Sequence, residues 1–83
     1  MEIEFDPAKD AANRAKHGVS LARADDLVPL TFVKDERFEE PRYRVYGLLD
    51  ELPYCLVFTD RGEKIRVISL RRVHAKEMRR YVG

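Results

Sequence analysis

From residue 30 onward, this 83-residue chain carries four strand patterns in succession, each joined to the next by a short turn. They cover residues 30–33, 42–46, 54–59 and 64–70, and they are rich in β-branched and aromatic residues. Strands joined by short turns pair antiparallel, because a parallel connection needs a crossover of a dozen or more residues. This run of strands therefore predicts a mostly antiparallel sheet.

The first eighteen residues predict a strand and a helix. Residues 2–5 alternate between polar and apolar side chains, which is the period of a half-buried strand. Asp6 and Pro7 are a helix N-cap and a first-turn residue, and Gly18 is placed to end that helix. Four alanines at helical spacing predict a narrow stripe that lets the helix sit close to a sheet: Ala8, Ala11, Ala12 and Ala15.

A second and a third helix complete the predicted fold. Ser20 caps a helix with Leu21, Ala24, Leu27 and Val28 on its buried side, and Pro29 ends it. Residues 75–82 form the last helix. The predicted order is βααββββα, an α+β fold in one domain over residues 1–83, with the leading helix pair packed on one face of the sheet.

Charge is segregated along the chain. Residues 61–83 carry eight Lys/Arg against two Glu, whereas residues 1–60 carry eight Lys/Arg against thirteen Asp/Glu. A basic pole of this kind indicates an anionic partner, with nucleic acid as the first candidate. A solvated basic helix is the alternative that composition leaves open.

Several classes of function have no support in the sequence. No apolar run approaches the roughly 20 residues of a membrane span, and the acidic start is unlike a signal peptide. The only cysteine, Cys55, lies in the most apolar strand and is expected to be a core residue. The two histidines and the acidic residues form no ligand-spaced cluster. We therefore expect a cytoplasmic protein without a metal, a cofactor or a membrane contact.

Lys16-His17-Gly18 ends the first helix and has two possible roles. A Lys and a His in the last turn interact favourably with the negative end of a helix, which explains them without catalysis. A histidine also titrates near neutrality, so His17 is the candidate for proton transfer.

Three arginines of the fifth strand are candidate phosphate ligands. In a regular strand, Arg66 and Arg72 share one face and Arg71 lies on the other. Their planar guanidinium groups match phosphate with paired hydrogen bonds, or they pair with the chain's own carboxylates. Two positions after Arg72, His74 is a weak N-cap for the last helix, with Glu77 as its capping-box partner.

The last helix and the tyrosines add candidate RNA contacts. Tyrosine rings stack on bases, but in a domain without Trp they are equally suited to core packing. The four are Tyr43, Tyr46, Tyr54 and Tyr81. The predicted RNA-binding residues of the last helix are Lys76, Arg79, Arg80 and Tyr81.

An ordered set of short pieces covers nearly the whole chain. The pieces are Phe5-Asp6-Pro7 with Lys9, Asn13, Lys16-His17-Gly18-Val19-Ser20, Arg42, Gly47, Thr59-Asp60-Arg61-Gly62, Ile65-Arg66-Val67-Ile68-Ser69, Arg71-Arg72, Glu77 and Tyr81. Taken in order, this specific set resembles the BrnT toxin family, part of the broader RelE-like ribonuclease toxins. His74 departs from the family, which commonly has Thr or Ser there.

The resemblance implies a metal-independent endoribonuclease that is neutralised by a cognate antitoxin. It implies a BrnA-like antitoxin of the ribbon-helix-helix type, with operator DNA bound only through the toxin–antitoxin complex. RNA would be cut by attack of the ribose 2′-OH on the adjacent phosphorus. The residues assigned to this chemistry are His17 for proton transfer and Lys16, Arg66, Arg71 and Arg72 for charge stabilisation.

A different class of function uses the same basic third. The chain could be a nucleic-acid-binding or protein-interaction module without catalysis, for which residues 61–83 would suffice. Cleavage of RNA by the purified protein separates the two.

Overall fold

The computed structural model describes residues 2–83 and confirms the predicted order of elements. All eight lie in the positions of the βααββββα pattern. They are β1 (Glu2–Glu4), α1 (Pro7–His17), a 3₁₀ helix (Leu21–Asp26), β2 (Val28–Asp35), β3 (Arg42–Leu49), β4 (Leu52–Asp60), β5 (Lys64–Arg72) and α2 (Ala75–Val82). No helix within residues 2–83 is long and apolar enough to cross a bilayer.

The strands form one five-stranded sheet in the order β1-β5-β4-β3-β2. The four strands that follow the helices pair antiparallel, as their short turns predict. β1 pairs parallel with the start of β5, from the register Glu2↔Lys64 to Glu4↔Arg66. Because β1 covers only that start, the rest of the outer edge of β5 is left for α1.

The sheet buries a different cluster on each face. The first face, here called the core face, carries Val45, Leu56 and Val67 and is covered by Leu21 and Ala24 of the 3₁₀ helix. The opposite face, here called the α2 face, carries a smaller cluster to which α2 contributes. That cluster consists of Tyr46, Cys55 and Val73, with Val33, Val57, Met78 and Tyr81 packed against it.

Helix α1 has the predicted ends but not the predicted buried side. The Asp6 Oδ1 accepts from the Ala8 N–H at 3.0 Å, and Gly18 ends the helix with φ 73°, its N–H donating to the Arg14 carbonyl. The four alanines, expected to face the sheet, are all exposed, and Asn13 is the buried residue of the helix. The alanine prediction is therefore wrong.

The side chain of Asn13 explains that reversal. Its Nδ2 donates to the Leu70 carbonyl at 2.8 Å and to the Val19 carbonyl at 2.9 Å, and its Oδ1 accepts from the Leu70 N–H at 3.2 Å. The amide thus serves the main chain of Leu70 as a neighbouring strand would. Alanine cannot satisfy these buried backbone groups, so the polar side of α1 faces the sheet.

The second helix is shorter than predicted. Ser20 caps it as expected, accepting from the Ala22 N–H at 3.1 Å, but the 3₁₀ helix ends at Asp26. Val28 and Pro29 belong to β2 instead, and Val28 is 58% exposed. Proline is tolerated there because β2 is the edge strand.

Gly47 allows the start of β2 to approach β3 closely. A Cβ at Gly47 would lie 2.3 Å from the Val28 carbonyl oxygen, so a larger residue would push the two strands apart. The absence of a side chain at Gly47 of β3 therefore allows Val28, just after the 3₁₀ helix, to begin β2.

Candidate functional site

A β-bulge in β5 determines which arginines share a face. Val57 pairs with Ser69 and Phe58 pairs with Val67, so Ile68 is an extra residue in β5. The extra residue shifts the alternation of side chains by one position. Arg66, opposite Thr59, and Arg71, opposite Cys55, therefore both lie on the α2 face.

Arg72 lies on the core face. It pairs with Tyr54, and its guanidinium carbon is 5.8 Å from the centroid of that ring. The expectation that Arg66 and Arg72 share a face is wrong, because it assumed a strand without a bulge. The predicted catalytic role of Arg72 would need a ligand that reaches the other side of the sheet.

An open groove runs along the α2 face between α1 and the start of β3. It consists of two adjoining depressions of about 440 and 230 Å³ that share Lys9 and Ile68. We call it the cationic groove. The larger depression is lined by Lys9, Phe38, Glu39, Glu40, Arg42, Thr59, Arg61, Arg66 and Ile68, and the smaller by Lys9, Ala12, Asn13, Lys16, His17, Ile68 and Ser69.

Most cations of the cationic groove are not paired with carboxylates. Within residues 2–83, no carboxylate oxygen lies within 4.0 Å of the charged nitrogens of Lys9, Lys16, Arg42 or Arg66. Arg61 is the exception, since its Nη2 lies 3.3 Å from the Glu40 Oε1. The groove is therefore suited to an anionic ligand.

His17, in the last turn of α1, lines the cationic groove. Burial lowers the pKa of His17 below its ordinary value, and the positive charges of Lys16 and Arg71 lower it further. The imidazole is thus neutral around pH 7 and has a nitrogen free to accept a proton.

Asn13 holds the helix that carries these groups. Its three hydrogen bonds to Leu70 and Val19 join α1 to the edge of β5, one helical turn before Lys16 and His17. At helical spacing, Asn13 shares a side of α1 with Lys9, Lys16 and His17, opposite the alanine stripe. That spacing does not show that this side packs against β5.

At the other end of the α2 face, Glu77 forms hydrogen bonds with residues of the sheet. Its Oε2 accepts from the Arg71 Nη2 at 2.9 Å and from the Tyr46 hydroxyl at 3.0 Å, and Arg71 holds the pKa of the Glu77 carboxyl below its ordinary value. Arg44 donates to the same Tyr46 hydroxyl at 3.0 Å. The expectation that Arg71 lies on the face opposite Arg66 is wrong for the same reason as that for Arg72, the bulge in β5, and the guanidinium of Arg71 is engaged by a carboxylate of the chain.

The predicted capping box does not form. The His74 side chain makes no cap hydrogen bond, and Glu77 is turned toward Arg71 and Tyr46 instead of the start of α2. An ion pair with the sheet stabilises Glu77 more than a bond to one backbone N–H at an exposed helix end. His74 is therefore the weak cap that its side chain predicts.

Helix α2 brings three of the four predicted RNA contacts together. Lys76, Arg80 and Tyr81 line an open depression of about 530 Å³ together with His74 and Glu77. Arg79 is exposed but does not line it. RNA binding by these residues stays a prediction.

Comparison with known proteins identifies the family. Residues 5–77 match the family described as "Ribonuclease toxin, BrnT, of type II toxin-antitoxin system". The chain belongs to the BrnT family. The resemblance drawn from the sequence is thereby confirmed, and the protein is a member of a family of ribonuclease toxins whose type II systems imply an antitoxin partner.

A solved structure has the same fold. The crystal structure of the Brucella abortus ribonuclease toxin BrnT, at 1.1 Å resolution, superimposes with a TM-score of 0.70 at 24% identity. The match covers 89% of this chain and 97% of that one. No curated protein matches the chain. The relation to RelE-like toxins stays a prediction.

The tyrosines of this BrnT-family chain are mainly packing residues. Tyr43 stacks on Phe58 with the ring centroids 5.4 Å apart, and the fully buried Tyr46 stacks on Tyr81 at 4.5 Å. Of the two roles that the sequence left open, packing holds for Tyr43 and Tyr46. An aromatic residue in the cationic groove itself, Phe38, was missed, although it stands alone among charged residues in a turn.

Cys55 is the core residue that the sequence predicts. Cys55 is fully buried, and burial raises the pKa of its thiol above the ordinary value, so it is kept protonated as a core residue. No group of three or more His, Cys, Asp or Glu that could hold a metal ion occurs in the described part of the chain.

Proposed function

We propose that this BrnT-family protein is a metal-independent endoribonuclease whose catalytic centre lies in the cationic groove. One observation carries the proposal: His17, with its lowered pKa, opens onto the same groove as Lys9, Lys16 and Arg66, which lack carboxylate partners among residues 2–83. A proton acceptor beside unpaired cations is what RNA cleavage by an internal nucleophile requires.

In the proposed reaction, the ribose 2′-OH attacks the adjacent phosphorus. His17 takes the 2′ proton, the bond from the 2′ oxygen to phosphorus forms, and the bond from phosphorus to the 5′ oxygen breaks. The leaving 5′ oxygen takes up a proton, and Lys16, which lines the same depression as His17, is the nearest candidate donor. The products are a 2′,3′-cyclic phosphate and a free 5′-hydroxyl.

The cations of the groove would stabilise the additional negative charge that develops on the phosphate. Arg66 and Lys9 line the larger depression and are free of ion pairs within residues 2–83, so they reach a phosphodiester without first breaking an internal contact. Arg71 is held by Glu77 and would act mainly through its charge, which lowers the pKa of His17.

The proposed partner is an antitoxin that neutralises the nuclease in the cytoplasm. Membership in a type II toxin family supports a protein antitoxin. We propose that this antitoxin is BrnA-like, of the ribbon-helix-helix type, and that operator DNA is bound only by the toxin–antitoxin complex.

The deciding experiment incubates purified protein with 5′-labelled RNA in the presence of EDTA. We expect cleavage, with products ending in a 2′,3′-cyclic phosphate, and no cleavage of the same RNA carrying 2′-O-methyl groups. Binding without cleavage would replace the nuclease with the non-catalytic binding module. If the protein neither binds nor cleaves the RNA, RNA is excluded as its ligand.

A further inference from the structure

Phe38 is an exposed aromatic residue at one end of the cationic groove. Its side chain is 41% exposed, although it lies in a turn whose other residues are mostly charged. The guanidinium carbon of Arg42 lies 4.0 Å from the centroid of the Phe38 ring. The pair therefore presents a ring supported by a cation, a combination that proteins use to stack nucleobases.

The turn that carries Phe38 is held at both ends. At its start, the Arg37 Nε donates to the Asp35 carboxylate at 2.9 Å, and this pairing lowers the pKa of Asp35 to about 2. At its other end, Glu40 is paired with Arg61 of the β4–β5 turn at 3.3 Å. Both pairs are solvent-exposed and individually weak, so they bias the turn toward this conformation and remove part of the ordering cost of binding.

The larger depression has room for a nucleotide. Its volume is about 440 Å³, within the range of roughly 300–1,000 Å³ found for small-molecule sites. Phe38 and Arg42 lie in the same depression as Lys9 and Arg66, and Lys9 also lines the smaller depression that holds His17. A nucleotide at Phe38 would therefore be next to the phosphate at the proposed catalytic centre.

The distribution of charge within the groove indicates which part of the nucleotide binds where. Glu39 and Glu40 line the groove beside Phe38, whereas the depression that holds His17 has no carboxylate in its lining. Carboxylates repel a phosphate but not an uncharged base. The Phe38 end is therefore suited to a base, and the Lys9–Lys16 end is suited to the phosphodiester.

We propose that Phe38 and Arg42 form a subsite that stacks one nucleobase flanking the scissile phosphate of the RNA. This inference rests on the proposed function, because it places the subsite relative to the cleaved bond. Stacking accepts any base, so the subsite contributes affinity and positioning with little sequence preference.

The test compares two exposed phenylalanines. Phe38→Ala removes the platform, and Phe32→Ala is the matched control, because Phe32 is 63% exposed but lies opposite Val45 on the core face. Binding is measured with RNA carrying 2′-O-methyl groups, which is not cut. We expect Phe38→Ala to bind about tenfold more weakly, ~1.4 kcal/mol, and Phe32→Ala and Phe38→Trp to bind like the wild type.

Single abasic nucleotides scanned through the same RNA then locate the base. At one position flanking the cleaved bond, the abasic RNA is expected to abolish the difference between wild type and Phe38→Ala, as a double-mutant cycle requires of partners in contact. A wild-type affinity of Phe38→Ala would overturn the subsite. A loss of RNA affinity in Phe38→Ala that is the same at every abasic position would also overturn the subsite.

The outcome for the subsite is separable from the outcome for the nuclease. Coupling between Phe38 and one base without cleavage would keep the subsite as a base-binding site and remove catalysis. Cleavage without coupling would keep the nuclease and remove the subsite. Thermal unfolding of each variant, expected to match the wild type, checks that an exposed ring was removed without loss of the fold.

Discussion

The two ends of the α2 face carry the same type of residue in opposite states. At the groove end, Arg42 and Arg66 have no carboxylate within ion-pair distance among residues 2–83. At the other end, Arg71 is bound by Glu77, and Arg44 donates to the Tyr46 hydroxyl. For the two arginines that β5 places on this face, the difference teaches that the position of one carboxylate decides which guanidinium is already paired and which is available to an anion.

Glu77 makes this difference because α2 folds back over the sheet. Its carboxylate supplies the negative charge that a phosphate would otherwise supply to Arg71, and it orders the stacked pair Tyr46–Tyr81 beside it. No residue of the helix is fully buried, although Met78 and Tyr81 pack against the cluster of the α2 face, so these polar contacts add to that packing in holding the helix. The groove end contains no such internal anion for Arg66.

The largest expected effect is on catalysis at the groove end. His17→Ala should slow RNA cleavage by roughly 10²–10⁴-fold, the usual contribution of a positioned acid or base, while RNA affinity changes little. Single-turnover cleavage and binding to 2′-O-methyl RNA measure the two quantities. His74→Ala is the control, because His74 lies outside the groove. Unchanged cleavage by His17→Ala would remove His17 from the mechanism.

The pH dependence of cleavage should follow the lowered pKa of His17. A base acts in its neutral form, so the rate is full above its pKa and falls about tenfold per pH unit below it. Because the pKa is lowered, the fall should begin below pH 6.5. A pH–rate profile of kcat/KM measures this limb. A midpoint above 6.5 would contradict the environment described for His17.

The third prediction contrasts Arg66 with Arg71. Arg66→Ala should weaken RNA binding by about tenfold and lower the salt slope by about one, without loss of stability, because it removes a proposed phosphate ligand that has no ion pair within residues 2–83. Arg71→Ala should instead lower the free energy of unfolding by about 1–2 kcal/mol, since it leaves Glu77 without its cation. Salt-dependent binding and urea unfolding measure the pair. Equal effects of both variants on binding would mean that the two ends do not differ.

Loss of the Glu77 charge should cost about 1 kcal/mol of stability, and only above acidic pH. The pKa of Glu77 is lowered from 4.5 in the folded protein. Its contribution to stability is therefore present above pH 4.5 and lost as pH falls through the lowered value. Glu77→Gln should be less stable than the wild type at pH 7, and the difference should shrink as the pH is lowered below 4.5. A difference that does not shrink would assign the effect to packing.

The smallest effect is expected at Arg72. Its guanidinium lies over Tyr54 on the core face, away from the cationic groove. Arg72→Ala should change cleavage and RNA affinity by less than about threefold at physiological salt, since a distant surface charge is largely screened. A tenfold loss of cleavage would restore Arg72 to the catalytic set and require a substrate path around the edge of the sheet.

Sequence reasoning was successful where the relevant interactions are local. Asp6, Gly18 and Ser20 were assigned correctly because a cap depends on residues two to four positions away. The strand patterns were assigned correctly for the same reason, since period-2 alternation is a local signal. The alanine stripe and the end of the second helix were assigned wrongly. Both depend on tertiary contacts: the main chain of Leu70 in β5 binds Asn13 of α1, and Gly47 of β3 allows the close approach of Val28.

The candidate site was only partly accessible to the same reasoning. The family resemblance assigned Lys16, His17 and Arg66 to one site, and the structure places them along the same groove. The bulge at Ile68 has no local sign in the sequence, and it alone moves Arg72 to the opposite face from Arg66. Phe38 was passed over because one aromatic residue in a charged turn has no periodic pattern.

By itself, the sequence determined the order of the elements, the helix ends, the antiparallel sheet and the family. These depend on neighbouring residues and on the ordered motifs. Only the tertiary structure decided which cations are available to a substrate. The availability of Arg66 and the occupation of Arg71 depend on strand register and on Glu77, a carboxylate brought to the sheet by the folding back of α2. Electrostatic pairing depends on distance in space, and the charge pattern along the chain does not contain that distance.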